Sequence, residues 1–81
     1  MRSIQVYVFS GGSVAQGAKV TVWVYQFGAS GPLEPVYTNN DGVATVRFEL
    51  DTDGEISISV NDNEKIKRGG VKDTYRIDIQ G

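Results

Sequence analysis

Five runs of this chain alternate two sets of residues in strict twos. Ile4, Val6 and Val8 alternate with Gln5, Tyr7 and Phe9. Ala18, Val20, Val22 and Val24 alternate with Lys19, Thr21, Trp23 and Tyr25. Ala44, Val46, Phe48 and Leu50 alternate with Thr45, Arg47 and Glu49. Ile56, Ile58 and Val60 alternate with Ser57 and Ser59, and Tyr75, Ile77 and Ile79 with Thr74, Arg76, Asp78 and Gln80. A repeat of two is the side-chain period of a β-strand with one buried face, and the β-branched content agrees. No window places apolar residues at i, i+3, i+4 and i+7, so no helix is predicted. Val36-Tyr37-Thr38 reads as a short sixth strand and Glu64 to Arg68 as a seventh.

The residues between the runs are turn formers. Gly11-Gly12-Ser13, Gly28-Ala29-Ser30-Gly31-Pro32, Asn39-Asn40-Asp41-Gly42, Asp51-Thr52-Asp53-Gly54 and Asn61-Asp62-Asn63 separate them. Gly, Asn and Asp tolerate the positive φ of tight turns. Asp41-Gly42 and Asp53-Gly54 are hairpin-type signals. Several short strands at regular spacing predict an all-β fold, a small antiparallel sandwich of six to seven strands. Its inward faces are the first-named sets above. No internal repeat or linker divides the chain, so residues 1–81 read as a single domain.

Composition narrows the chemistry. The 81 residues are 40% hydrophobic, enough for a core. Net charge is -2, so there is no bulk positive field for nucleic acid or an anionic membrane. His and Cys are both absent. That removes disulfides, His- or Cys-ligated zinc, and nucleophilic triads built on imidazole or thiol. Ser10, Ser13, Ser30, Ser57 and Ser59 have no imidazole partner, and no acid sits in an apolar stretch that would raise its pKa. The expectation is a non-enzyme without cofactor or metal. Apolar runs are too short to cross a bilayer. Met1-Arg2-Ser3-Ile4 opens an alternating strand rather than an apolar leader, so no signal peptide is expected.

Several short motifs sit at family-like positions. Gly17-Ala18 opens the strand Ala18-Lys19-Val20-Thr21-Val22. Thr38-Asn39-Asn40-Asp41-Gly42-Val43-Ala44 follows, then Gly54-Glu55-Ile56-Ser57-Ile58. The pattern resembles the carboxypeptidase regulatory-like and transthyretin-like (prealbumin-like) β-sandwich domains, over about residues 4–79. It departs from them at Asn39, usually Asp, and at Ile56, usually Tyr. The resemblance implies an immunoglobulin-like or prealbumin-like sandwich that is a non-catalytic module, often part of a surface or secreted protein. The related collagen-binding B-type repeats form internal Lys–Asn or Lys–Asp isopeptides from an inward Lys on the first strand. Ile4, Val6 and Val8 occupy that face here, so no isopeptide is expected. In the turn, Thr38 or Asn39 is placed to bond the backbone two residues on, with Gly42 at positive φ.

Three groups of side chains are candidates for function. Tyr7, Phe9, Trp23 and Tyr25, with Phe27 beyond them, share the phase opposite to the valines. Gln5, Lys19 and Thr21 share it too, which points it outward. Stiff outward aromatics suit a protein partner, a neighbouring domain, a homodimer, or stacking on sugar rings. They equally suit packing under the 26–37 loop or cross-strand pairing. The leading expectation is therefore a structural or protein-interaction module. The alternative is a carbohydrate-binding module that uses Trp23, Tyr25 and Tyr7. The second group is Asp51, Asp53 and Glu55 with Asn61, Asp62, Asn63 and Glu64. These read as turns, or as a weak calcium site if they meet at one end. The third is Lys65, Lys67, Arg68 and Lys72 around Gly69-Gly70. It reads as a solvated hairpin tip on an edge strand rather than a phosphate loop.

Overall fold

A computed structural model describes residues 2–28, 30–50 and 53–80. Among the described residues there are nine strands and no helix. The strands are β1 (Arg2–Ser10), β2 (Ser13–Val14), β3 (Lys19–Tyr25), β4 (Gly31–Pro32), β5 (Val36–Tyr37), β6 (Val43–Phe48), β7 (Glu55–Val60), β8 (Asn63–Gly69) and β9 (Thr74–Asp78). All seven expected strands are present. The two extra ones, β2 and β4, are two-residue strands inside segments expected to be turns. Each satisfies main-chain groups on one side of a longer neighbour.

Two sheets pack face to face as a β-sandwich. In the first, β1 is central. β6 lies antiparallel on one side, with Ile4 opposite Val46 and Val6 opposite Ala44. β2 continues that side beside the end of β1, with Phe9 opposite Val14. β9 lies parallel on the other side, with Val6 beside Tyr75 and Val8 beside Ile77. In the second sheet β3 pairs with β7, and β7 with β8. β4 and β5 share the opposite edge of β3, through Trp23 opposite Pro32 and Lys19 opposite Tyr37.

The core is the inward set read from the alternation. Ile4, Val6, Val8, Ala18, Val20, Val22, Val24, Ala44, Val46, Phe48, Ile56, Ile58, Val60, Tyr75 and Ile77 are all buried. Leu50 and Ile79 are half-buried and pack at the margin. Each fully buried aliphatic side chain contributes roughly 1.5–3 kcal/mol, so the alternation carries the driving force as well as the register.

The connections differ from the sequence expectation. Neither Asp-Gly signal closes a hairpin. Asp41-Gly42 joins β5 to β6, and Asp53-Gly54 precedes β7 after β6, so each step changes sheet. Asp51, Thr52 and Ala29 lie outside the described residues. Asn39 is the reason for the first exception. Its Oδ1 accepts the N–H of Asp41 at 2.9 Å and of Val43 at 3.1 Å. Its main-chain oxygen accepts the N–H of Gly42 at 3.0 Å. This is a side-chain-capped turn, with φ of 74° at Gly42 alone. The two-residue hairpins are elsewhere. Gly11 and Gly12, at φ 60° and 89°, join β1 to β2, while Asn61 and Asp62, at φ 52° and 69°, join β7 to β8. Two successive positive φ values match the strand twist.

Candidate functional site

The four aromatic candidates do not form one surface. Tyr7 and Phe9 stand on the outer face of the first sheet, Trp23 and Tyr25 on the outer face of the second. The sandwich core separates the pairs, so a site using Tyr7 together with Trp23 is excluded by geometry. All four lie on the phase opposite to the buried valines, as the alternation required.

Two of the rings carry a cationic cap. The Arg68 guanidinium lies 4.6 Å from the Tyr25 ring centroid. Its Nε donates to Glu55 Oε1 at 2.8 Å. The Tyr25 hydroxyl and Ser57 Oγ are hydrogen-bonded at 3.1 Å. On the other sheet Arg76 lies 5.2 Å over Phe9, and the Tyr7 hydroxyl donates to Gln5 Oε1 at 3.3 Å. These contacts use long polar side chains to cover apolar rings, the cross-strand packing that was the competing reading.

Trp23 is different. It stays 40% exposed and borders an open groove of about 480 Å³. The groove runs over β3, lined by Lys19, Thr21, Trp23 and Ser59, with Pro32, Leu33 and Pro35 along one side and Asp62 on the other. Strand register builds it. Thr21 is opposite Ser59, so two small hydroxyl side chains make a low floor. Trp23 is opposite Pro32 at one end, and Lys19 is opposite Tyr37 at the other. Tyr37 is 59% exposed and shares this outer face.

One ion pair closes the far end. Lys19 Nζ donates to Asp62 Oδ1 at 3.0 Å. Hydrogen bonding and charge from Asp62 raise the Lys19 ammonium above its ordinary pKa. The turn that carries Asp62 is itself tied to β3: Asn61 Oδ1 accepts the Lys19 N–H at 3.0 Å, and the Asn61 N–H donates to the Lys19 carbonyl at 2.8 Å.

The acidic group does not assemble. Glu55 and Asn61 lie at opposite ends of β7, roughly 20 Å apart at about 3.3 Å per residue. Glu55 is paired with Arg68, and Asp62 with Lys19. Among the described residues no three acidic side chains gather, while Asp51 lies outside them. The basic group is not a hairpin tip either. Lys65, Lys67 and Arg68 lie on the edge strand β8, and Gly70 to Asp73 cross to the first sheet. That crossing is held by Tyr75, whose hydroxyl accepts the Lys72 N–H at 2.9 Å and donates to the Gly70 carbonyl at 3.4 Å.

Sequence reasoning missed the Lys19–Asp62 pair and the two prolines that line the groove, and Tyr37, which stands beside it on the same outer face. Residue type marks none of them. The 3.0 Å pair joins residues 43 positions apart, and only the β3–β7–β8 register brings them together.

Comparison with known proteins finds no matching family model, and no curated protein or solved structure that matches this chain.

Proposed function

We propose that this chain is a non-catalytic binding module of the carboxypeptidase regulatory-like and transthyretin-like kind. It works as one domain of a larger surface or secreted protein, or as a small self-associating protein. The mechanism is rigid display: the sandwich fixes an outer face for another molecule to dock on.

The observation that carries this reading is Trp23, 40% exposed at the end of an open groove. Its strand is hydrogen-bonded on both edges, by β7 on one side and by β4 and β5 on the other. A large aromatic with few side-chain torsions, on a strand paired along both edges, loses little entropy when a partner covers it. Tyr25 and Phe9, each under an arginine, are less available. The non-catalytic reading is supported by the lack of His and Cys in the sequence and by the pairing of Asp62, the carboxylate among the described groove residues, with Lys19.

The chain has a single Trp, so its fluorescence reports this face alone. Acrylamide quenching is read alongside light scattering over a range of concentrations. The expected result is a monomer at low concentration with freely quenched Trp23. A dimer that shields Trp23, and that Trp23→Ala returns to monomer, also fits, with a second copy as the partner. A monomer in which Trp23 resists quenching would sink the reading, because the chain would be covering its own face.

A further inference from the structure

We propose that the outer face of the second sheet takes a short run of linked neutral sugar rings that lies in the groove, stacked at one end on Trp23 and, just beyond the groove, on Tyr37. The proposal rests on the reading of this face as the binding face and adds the class of ligand.

The first argument is spacing. Trp23 and Lys19 are four residues apart on β3, about 13 Å at ~3.3 Å per residue, and Tyr37 lies directly opposite Lys19. Two exposed aromatic platforms at that separation are too far apart for one pyranose ring. They suit two rings of one oligosaccharide that are separated by intervening rings, each stacked ring offering an apolar face of axial C–H groups.

The second argument is the polar set between the platforms. Thr21 and Ser59 place two hydroxyls on the floor. Asp62 brings a carboxylate acceptor and Lys19 an ammonium donor at one wall. Acceptors, donors and hydroxyls beside an aromatic ring are what vicinal sugar hydroxyls require.

The third argument is charge. The two ions in the groove neutralise each other at 3.0 Å, so no net field favours an anionic or cationic ligand. A peptide fits less well. It would bring a main-chain N–H and C=O with every residue, whereas the main-chain groups of β3 are already used in its ladders.

The test is titration of the whole chain with cellohexaose, xylohexaose and maltohexaose, followed by Trp23 fluorescence and by amide chemical shifts. At least one sugar is expected to give a saturable change in both. The shifts should be confined to the second sheet: β3, the segment from β4 to β5, Ser59 on β7 and the Asn61–Asp62 turn. Trp23→Ala, followed by amide shifts, should weaken binding by about tenfold or more, the scale of one lost stacking contact. Tyr37→Ala and Asp62→Asn should each weaken it severalfold, while Thr45→Ala on the other sheet should not. Failure of all three sugars to give a saturable change overturns the proposal, as do shifts on the first sheet or full binding by Trp23→Ala. A freely quenched Trp23 with no sugar bound removes the glycan and leaves the binding module standing. A shielded Trp23 in a monomer removes both.

Discussion

The Thr38 hydroxyl accepts the main-chain N–H of Ala18 at 2.8 Å across 20 residues of chain. It also donates to the Ala15 carbonyl. Thr38 and Ala18 are both buried, and their main chains exchange a further bond from Thr38 N–H to Ala18 O at 3.0 Å. One side chain thus satisfies two main-chain groups where the chain passes from the first sheet to the second. Thr38→Val keeps the volume and removes both bonds. A buried N–H without a partner costs about 1–3 kcal/mol. We expect that loss in urea denaturation, with a melting temperature lower by about 4–8 °C per kcal/mol. Thr38→Ser, which keeps the hydroxyl, should lie closer to wild type. A larger loss for Thr38→Ser than for Thr38→Val would show that the methyl group matters more than the hydroxyl.

Gly42 and Gly12 separate two penalties that usually occur together. Both have positive φ, 74° and 89°. A Cβ at Gly42 would meet the Val8 carbonyl oxygen at 2.8 Å and Val14 Cβ at 3.0 Å, whereas one at Gly12 meets nothing within 4 Å. Gly12→Ala should therefore carry only backbone strain, about 1 kcal/mol. Gly42→Ala adds a clash with main-chain atoms that are fixed in the β1 ladder, and should cost at least twice as much. Paired denaturation curves check this. A Gly42→Ala variant as stable as Gly12→Ala would mean that β1 yields locally.

Arg68 should be distinguishable from a plain surface cation. It bonds Glu55 and lies over Tyr25, with the side chain partly exposed. Arg68→Lys keeps the charge and loses the planar contact with the ring. The loss should be about 0.5–1 kcal/mol, the scale of an exposed cation–π contact. High salt should leave most of it in place, because only the Glu55 pair is screened. A difference that vanishes in salt would assign the whole effect to the ion pair.

Most of the fold was legible because a one-residue slip would turn every side chain over. Val6 and Ile58 announce their face by position alone, and both are fully buried. Pairing between distant strands was not legible. The parallel contact of β9 with β1 and the sheet changes after Tyr37 and Phe48 depend on which edges the core leaves open. Asp41-Gly42 misled for a local reason: the Asn39 side chain takes the place of a second strand in satisfying Asp41 and Val43. The groove was half legible. The outward phase of Trp23 was plain, but the caps on Tyr25 and Phe9 come from Arg68 and Arg76, which reach them only through pairing.

The Lys19–Asp62 pair gives the groove a pH signature. Its 3.0 Å hydrogen bond to Asp62 raises the Lys19 pKa above the ordinary 10.5. A raised folded-state pKa means the pair's stabilisation is fully present below the unfolded-state value. It is lost as pH rises through the folded-state value. The window is therefore alkaline, above 10.5, and neutral or acid pH down to the carboxylate range should show no change from this lysine. Lys19→Met keeps much of the side-chain stem and removes the charge. The urea midpoints of wild type and variant should differ by a small constant amount up to about pH 10, then converge as the wild-type ammonium deprotonates. Added salt should narrow the same gap at neutral pH, since both side chains are partly open to solvent. A gap that persists undiminished at the alkaline end would assign the effect of the substitution to packing of the stem along β3 and not to the ion pair.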